Sequence, residues 1–300
     1  MMRILFKLIW ILCLAIYQTG FSQCWFSELI KDFDKNPAEF RSFMNTAPDA
    51  MYAYEQLYKA GRSGLRQNTQ ALQAYSNAIK NNKLRELGFS DELLARVNGY
   101  NPAAYDEILT DLDKLGSTLQ RNNTKLENFN ATISILTGGN GNYRQGVHWI
   151  IQDLGQESSF ASKTLMMEVA VENARETFSF IDLVCKGCSR AGTDLMIEYK
   201  SGPGSITSGT IKKQFIERDL FKANSLDEIQ WRTKNTNISP DNLKSWLKDN
   251  KNAINDIIQG NDISLSNKYK GYFKINERSN VVTDVQIDNF VDNNFSKIFK

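Results

Sequence analysis

The chain contains a single histidine, His148, in 300 residues. A Ser-His-Asp or Cys-His nucleophile system therefore has only one candidate base, and a metal site built from several histidines is excluded. If the chain is a hydrolase, carboxylates and lysines must carry out the reaction.

The chain also lacks a surplus of charge of either sign, with 36 basic and 34 acidic residues and a formal net charge of +2. The chain as a whole therefore offers no strongly basic field for nucleic acid. Six basic residues within one short span could still form a local patch. They are Lys212, Lys213, Arg218, Lys222, Arg232 and Lys234.

Cysteine is scarce, and only Cys185 and Cys188 are spaced as a C-x-x-C, inside a predicted turn. No second pair completes a zinc site. A reversible disulfide and an unbonded turn both suit this spacing, and a metal site is the least favoured of the three interpretations.

Residues 1–22 have the pattern of a secretory signal peptide. A basic start with Arg3 and Lys7 precedes an apolar run and then small and polar residues, so cleavage is expected near Ser22 or Gln23. A membrane anchor is the alternative, but the run is short for the ~20 residues that a bilayer requires. We expect an exported protein, secreted or in the cell envelope, with no stable membrane span after cleavage.

A length of 300 residues favours two domains. The pattern predicts an all-helical amino-terminal region at 23–138, including a helix that begins at Asn101-Pro102 and ends at Gly116, and another at 117–136. The segment 138–142 is rich in glycine and asparagine and breaks any helix, so it is the predicted boundary. The second domain is predicted at 139–300.

The second domain is predicted to combine helices with a sheet, in the α+β or α/β class. Its expected elements, in chain order, are a helix at 146–154, a strand at 163–171, two strands joined by a turn within 178–202, a helix at 208–223, a strand at 228–233 and a helix at 241–258. On the helix at 208–223, Arg218 and Gln214 are expected on a polar edge, and Glu217, Asp219 and Lys222 on a solvated face. The order predicts a mixed central sheet flanked by helices.

The two strands at 178–201 form a predicted hairpin with charged residues on apolar strands. Glu198 and Lys200 are two residues apart, so they project from the same face. If the hairpin is symmetric about Arg190, Asp182 lies opposite Glu198. Two carboxylates and an ammonium at one position are costly unless something binds there, most simply a divalent cation. The alternative is a buried ion pair in a central strand.

This combination resembles the PD-(D/E)XK nuclease superfamily, which has the restriction-endonuclease-like αβββαβ fold. Asp182 matches the acidic residue of the second strand, Glu198-x-Lys200 matches the motif of the third strand, and Gln214 lies on the following helix. The residues from Ile197 to Ile229 are similar to the terminal toxin domains of bacterial, Bacteroidetes-type polymorphic toxins.

The resemblance covers roughly residues 30 to 235 and includes Ala60-Gly-Arg-Ser63, which is similar to the region that often precedes such toxin domains. Two features depart from the family pattern. No proline precedes Asp182, and the acidic residue of the first helix has no clear counterpart, with Asp153 and Glu157 as the candidates.

The resemblance implies a metal-dependent endonuclease. Asp182 and Glu198 would bind Mg²⁺ or Mn²⁺, Lys200 would orient the attacking water or stabilise developing negative charge, and Gln214 would position water or phosphate. DNA is favoured over RNA only because it is the common substrate of the fold. The nuclease would be an exported antibacterial toxin that acts in the target-cell cytoplasm and is inhibited in the producer by an immunity protein. The alternative is an exported binding or adhesion protein whose α/β domain has lost catalysis.

Overall fold

A computed structural model describes residues 23–35, 38–98, 101–138, 141–175, 177–276 and 278–300. The predicted signal peptide and positions 139 and 140 of the predicted boundary lie outside these residues. The chain divides into two compact units, one comprising the part up to Gly116 with Leu136–Gly138, the other Ser117–Ile135 with Gly139–Lys300. The predicted domain limits at 138 and 139 stay a prediction.

The regular elements described from Gln23 to Arg121 are all helices, and side chains cap several of them. Asn68 accepts a hydrogen bond from the backbone of Ala71, and Ser90 accepts one from Leu93. The helices are α1 (Gln23–Lys35), α2 (Ala38–Thr46), α3 (Ala50–Lys59), α4 (Ser63–Arg66), α5 (Thr69–Lys80), α6 (Asn82–Glu86), α7 (Asp91–Arg96) and α8 (Pro102–Arg121).

Gly116 does not end α8, and the prediction was wrong at this point because the helix continues to Arg121. A Cβ at position 116 would lie 2.5 Å from the side-chain oxygen of Asn81. The amide of Asn81 donates to the carbonyl oxygen of Asp113 at 3.0 Å. Glycine therefore allows a polar side chain to approach the helix closely, and does not end it.

The region 23–138 is not all-helical as predicted, since a short strand, β1 (Lys125–Glu127), precedes helix α9 (Asn130–Gly138). Asn123 and Asn128 flank this strand with φ values of 49° and 61°. Asparagine tolerates this left-handed region better than most residues do. Three residues give too little alternation for a strand to be recognised from sequence.

The second unit contains a five-stranded mixed sheet in the spatial order β1-β2-β3-β4-β5. The two outer pairs, β1 with β2 and β4 with β5, are parallel, and the pairs between them are antiparallel. The predicted combination of helices with a mixed sheet is confirmed. The elements are α10 (Gly141–Gln156), β2 (Thr164–Glu172), β3 (Phe178–Cys185), β4 (Leu195–Ser201) and β5 (Ile229–Lys234).

The segment between β4 and β5 begins with α11 (Ser208–Thr210) and continues as a π-helix, Ile211–Leu220. The prediction that Glu217 and Asp219 form a solvated face, with Arg218 on a polar edge, was wrong because all three side chains are buried. Backbone hydrogen bonds in a π-helix run from i to i+5, so its faces do not follow the α-helical spacing used for the prediction.

The last part of the chain packs its helices into the hydrophobic core that also contains Phe215 and Trp231. Phe299 forms a parallel bridge with Trp231, which protects the edge of β5. The helix predicted at 241–258 is interrupted at Asn250. The final elements are a 3₁₀ turn (Leu226–Glu228), α12 (Pro240–Asp249), α13 (Lys251–Gln259), α14 (Ile263–Tyr272) and α15 (Asp284–Ile298). Among the described helices, none combines the length and apolar character needed to cross a bilayer.

Candidate active site

The hairpin of β3 and β4 sets the positions of the predicted site residues. Its ladder pairs Leu183 with Ile197, so the next step towards the open end puts Asp182 opposite Glu198. Oδ2 of Asp182 accepts a hydrogen bond of 2.7 Å from the backbone N–H of Tyr199. The register predicted from a symmetric hairpin is therefore confirmed.

Glu198 is bound by cations at both of its carboxylate oxygens. Its side chain is only 3% exposed. Oε1 lies 2.5 Å from Nζ of Lys200, and Oε2 lies 2.7 Å from Nη2 of Arg218. The predicted pair of Glu198 and Lys200 is thus in direct contact, and sequence reasoning missed the arginine that completes it.

Arg218 is 1% exposed and connects the helix to both central strands. Its Nε donates to Oδ1 of Asp219 at 2.6 Å, and its Nη1 donates to the carbonyl oxygen of Phe180 at 2.6 Å. Trp231 on β5 donates from its indole N–H to Oδ2 of Asp219 at 2.7 Å. The β3–β4 ladder ends before Phe180. The guanidinium of Arg218 therefore donates to the carbonyl oxygen of Phe180 at the point where the two strands separate.

Asp182 marks a change in the side on which β3 packs. Ile181 and Val184 belong to the same core cluster although they are three residues apart. In a regular strand such residues face opposite sides of the sheet. On the neighbouring strand, Glu168 has φ of 50°, in the left-handed region, which costs a non-glycine residue about 1–3 kcal/mol. The two irregular positions lie side by side, at the carboxylates.

Glu168 is a site residue that the sequence reasoning missed. The β2–β3 ladder pairs Val169 with Ile181, so Glu168 lies opposite Asp182. Glu168, Asp182 and Glu198 therefore form a row across three adjacent strands. The signal was available, because Glu168 is the only acidic residue in the strand predicted at 163–171.

The acidic side chains of this row lie close together, and their pKa values are raised. Desolvation by the surrounding protein, and then the Glu198 carboxylate, raise the pKa of Asp182 to about 8, although part of its side chain is exposed. The same two causes raise the pKa of Glu168, and Lys200 opposes both shifts. With Asp219, four acidic groups lie near only two cations, Lys200 and Arg218.

Gln214 is the predicted site residue that the described contacts do not connect to the others. It lies on the π-helix four residues before Arg218. Its Oε1 is buried and accepts no hydrogen bond from any described residue. A buried carbonyl oxygen without a donor is costly, so this atom is suited to accept a bond from a ligand or water.

Asp153 and Glu157 do not join the row. Tyr199 faces the side of β4 opposite to Glu198, and its hydroxyl donates to Oδ2 of Asp153 at 2.7 Å. Arg232 forms ion pairs with both Asp153 and Glu157. Asp153 on α10 and Glu157, which directly follows this helix, therefore pair with an arginine on the other face of the sheet.

The predicted basic patch is smaller than expected, because Arg218 is buried and Arg232 is paired with two carboxylates. Lys213, Lys222 and Lys234 are exposed. Any nucleic acid would therefore meet mainly lysines from this span.

A cavity of about 740 Å³ in the second unit does not contain the predicted site. Its lining includes Trp149, Asp153, Phe160 and Arg232, which belong to the opposite side of the sheet from Glu198. The row of carboxylates lies instead where β3 and β4 separate.

The C-x-x-C forms a disulfide between Cys185 and Cys188. Cys185 is fully buried at the end of β3, whereas Cys188 is partly exposed in the turn. Lys186 and Asp194 form an ion pair of 2.7 Å across the same turn. Of the three interpretations of this spacing, the disulfide is the one present.

No protein-family model, curated protein or solved structure matches the chain.

Proposed function

We propose that the chain is a metal-dependent nuclease with a restriction-endonuclease-like αβββαβ domain. The observation that carries the proposal is the position of Asp182 opposite Glu198, with Nζ of Lys200 2.5 Å from Oε1 of Glu198. The order helix, three strands, helix, strand from α10 to β5 supports the same assignment. The substrate is nucleic acid, and DNA is favoured over RNA.

The residues of the row suit a hard divalent cation, Mg²⁺ or Mn²⁺. Such ions prefer carboxylate oxygens, and Glu168, Asp182 and Glu198 supply three carboxylates on adjacent strands. The raised pKa of Asp182 is a second reason, because burial and then the Glu198 carboxylate disfavour its charged form, and a divalent cation would favour that form. Asp182 and Glu198 are the proposed ligands, and Glu168 is added to them.

When bound, the cation would polarise a phosphoryl oxygen of the substrate and lower the pKa of its water ligand. The ammonium group of Lys200 donates to Oε1 of Glu198. Its positive charge would stabilise the negative charge that develops on the phosphate. Arg218 fixes the other oxygen of Glu198, so that the carboxylate keeps one orientation. Gln214 offers its unpaired Oε1 to water.

The direct test is cleavage of supercoiled plasmid and of single-stranded RNA by the purified chain with Mg²⁺ or Mn²⁺, and with EDTA as the blank. Glu198→Gln and Lys200→Met should each lower the cleavage rate by about 10²-fold or more, since they remove a ligand and the ammonium. Glu172→Gln is the matched control, because Glu172 is an exposed carboxylate on β2. Equal activity in the wild type and in Glu198→Gln would disprove the assignment.

The biological role that we propose is that of an exported antibacterial toxin acting in the target-cell cytoplasm, with a cognate immunity protein in the producer. Expression of the chain without residues 1–22 in a bacterial cytoplasm should be toxic. Glu198→Gln should abolish the toxicity. A neighbouring gene product that binds the chain should rescue the cells.

A second candidate, an exported binding or adhesion protein without catalysis, is favoured by one observation. Both oxygens of Glu198 are engaged by Lys200 and Arg218, as in a buried ion-pair network. This candidate predicts neither toxicity nor cleavage in any metal. It also predicts that Glu198→Gln lowers stability and changes nothing else.

A further inference from the structure

The cavity on the side of the sheet away from Glu198 has no part in the proposed nuclease reaction. Its volume of about 740 Å³ lies within the range of about 300–1,000 Å³ that small-molecule sites occupy. Gln230 and Arg232 of β5 both line it. Residues two apart on a strand face the same side, so these two side chains project together, whereas Trp231 packs into the core on the other side.

The side-chain amide of Gln230 has no protein partner among the residues that the structure describes. The residue is only 6% exposed, and it lines the cavity. An amide offers two N–H donors and a carbonyl acceptor. Buried polar groups normally have hydrogen-bond partners, because an unpaired one is costly. The amide is therefore suited to a ligand that presents an acceptor and a donor side by side.

The basic side chains of the cavity outnumber the acidic ones. Five basic and three acidic residues line it. Arg232 is already paired with Asp153 and Glu157, which leaves Asp227 as the remaining acid. The other basic residues form no ion pair with a carboxylate in the described part of the chain. They are Lys163, Arg190, Lys297 and Lys300. This surplus of positive charge suits an anionic group such as a phosphate.

The ammonium group of Lys163 is held in the wall of the cavity. It donates to the carbonyl oxygen of Gly187 at 2.8 Å. Gly187 lies between Cys185 and Cys188, whose disulfide restrains the turn. An ammonium group has three N–H donors, so two remain for an anion.

Aromatic side chains supply flat surfaces in the same lining. Trp149 is half-buried, and Phe160 is buried. The rings of Trp149 and Tyr199 are nearly perpendicular, with centroids 5.2 Å apart, and this contact fixes the indole. Aromatic rings stack well on nucleobases, since every base has a π-face.

We propose that this cavity, which we call the Gln230 cavity, binds an adenine mononucleotide. A glutamine amide can pair with adenine at N6 and N7, through one acceptor and one donor. The phosphate would bind Lys163. A free phosphate would use the lysine without the amide, and a nucleoside would use the amide without the lysine. The proposal does not depend on the nuclease function, because the cavity and the carboxylate row lie on opposite sides of the sheet.

The test is calorimetry of the purified chain in EDTA. The ligands are adenosine 5′-monophosphate, guanosine 5′-monophosphate, adenosine, ribose 5-phosphate and inorganic phosphate. EDTA removes divalent cations, so the carboxylate row cannot bind phosphate through a metal. We expect adenosine 5′-monophosphate to bind about tenfold or more tightly than each of the others, because only it engages both the amide and the ammonium. Loss of nuclease activity in any metal would leave this result unaffected.

Two variants remove the proposed contacts one at a time. Gln230→Met keeps the length of the side chain without its hydrogen bonds, and should weaken binding by about 5- to 150-fold. Lys163→Met should weaken it by about tenfold, and should leave the affinity for adenosine unchanged. The matched controls are Gln120→Met, at an exposed position of α8, and Lys251→Met, whose lysine pairs with Asp284. Both controls should bind the nucleotide as the wild type does.

Photolabelling of the wild type locates the site even if Gln230→Met does not fold. The probe is 2-azidoadenosine 5′-monophosphate, whose azide lies away from N6 and N7. Mass spectrometry should find the label in a segment that lines the cavity, such as 149–163 or 227–233, and excess adenosine 5′-monophosphate should prevent labelling. The proposal is overturned if the label lies elsewhere, if no nucleotide binds, or if inorganic phosphate or guanosine 5′-monophosphate binds as tightly.

Discussion

Nη2 of Arg218 lies 2.7 Å from Oε2 of Glu198, and both side chains are almost completely buried. The same guanidinium bonds Asp219 and the carbonyl oxygen of Phe180. One side chain of the π-helix therefore pairs with two carboxylates and ties the helix to β3 and β4. A buried network of charged side chains is costly to break, because removal of one member leaves the charges of the other members unpaired.

Replacing Arg218 should destabilise the protein strongly. We expect Arg218→Met to lower the free energy of unfolding by about 3–5 kcal/mol, since Glu198 and Asp219 lose their shared cation. Arg218→Lys should cost less but should not restore the wild type, because an ammonium lacks the planar fork that reaches three acceptors. Urea unfolding followed by tryptophan fluorescence measures both effects.

Lys186→Met provides the comparison for this experiment. Lys186 pairs with Asp194 in an exposed turn, and such surface pairs contribute about 0–1 kcal/mol. If Arg218→Met and Lys186→Met lower the free energy of unfolding by similar amounts, the buried Arg218 network contributes no more to stability than an exposed ion pair does.

The stability of the metal-free protein should depend on the protonation of Asp182. Its pKa is raised from the ordinary 3.8 to about 8, so between these values the folded state holds a proton that the unfolded state has released. Stability therefore falls as the pH rises through this interval. In EDTA, the free energy of unfolding of the wild type should decrease more between about pH 5 and about pH 8 than that of Asp182→Asn. Parallel pH profiles for the two proteins would contradict the shift.

Glu168 should strengthen metal binding and lower the stability of the metal-free protein. Glu168→Gln should weaken the binding of Mn²⁺, measured by calorimetry, by about tenfold or more, equivalent to about 1.4 kcal/mol. The metal-free variant should be more stable than the wild type, because desolvation and then the Glu198 carboxylate raise the pKa of Glu168, and both costs of its charged form disappear on substitution. Glu172→Gln, on the same strand, should change neither quantity. An unaltered Mn²⁺ affinity in Glu168→Gln would exclude Glu168 as a ligand.

The Cys185–Cys188 disulfide should add stability to the hairpin turn. It closes a loop of four residues, for which the loss of chain entropy in the unfolded state corresponds to about 2 kcal/mol. Dithiothreitol should lower the free energy of unfolding by this amount in the wild type. The double variant Cys185→Ala/Cys188→Ala should not respond to dithiothreitol. In the reduced native protein, partly exposed Cys188 should be alkylated before buried Cys185.

Local sequence patterns were sufficient to predict the register of two strands that are joined by one turn. The register of β3 and β4 follows from counting outwards from a symmetric turn, which placed Asp182 opposite Glu198 correctly. Glu168 lies opposite Asp182 on the neighbouring strand β2. It was missed because the acidic residue was sought on or just after the preceding helix, where Asp153 and Glu157 pair with Arg232.

Sequence patterns that assume the α-helical period were not sufficient to predict which side chains are buried. The faces of the helix after β4 were assigned from α-helical spacing, but the π-helix turns Glu217, Arg218 and Asp219 inwards. Likewise Gly116 was taken as a helix end, although it accommodates the side chain of Asn81. Both errors concern contacts with residues distant in sequence.

By itself, the sequence determined the mixed class of the fold, the order of the elements from α10 to β5, and the pairing of Asp182 with Glu198 and Lys200. These features depend on alternation, turn symmetry and the spacing of neighbours, which are local. Only the tertiary structure decided that Arg218 pairs with Glu198, that Glu168 completes the row, and that Gln230 lines a cavity on the opposite side of the sheet. Those features arise from packing between elements, where burial and charge compensation select partners that no sequence spacing specifies.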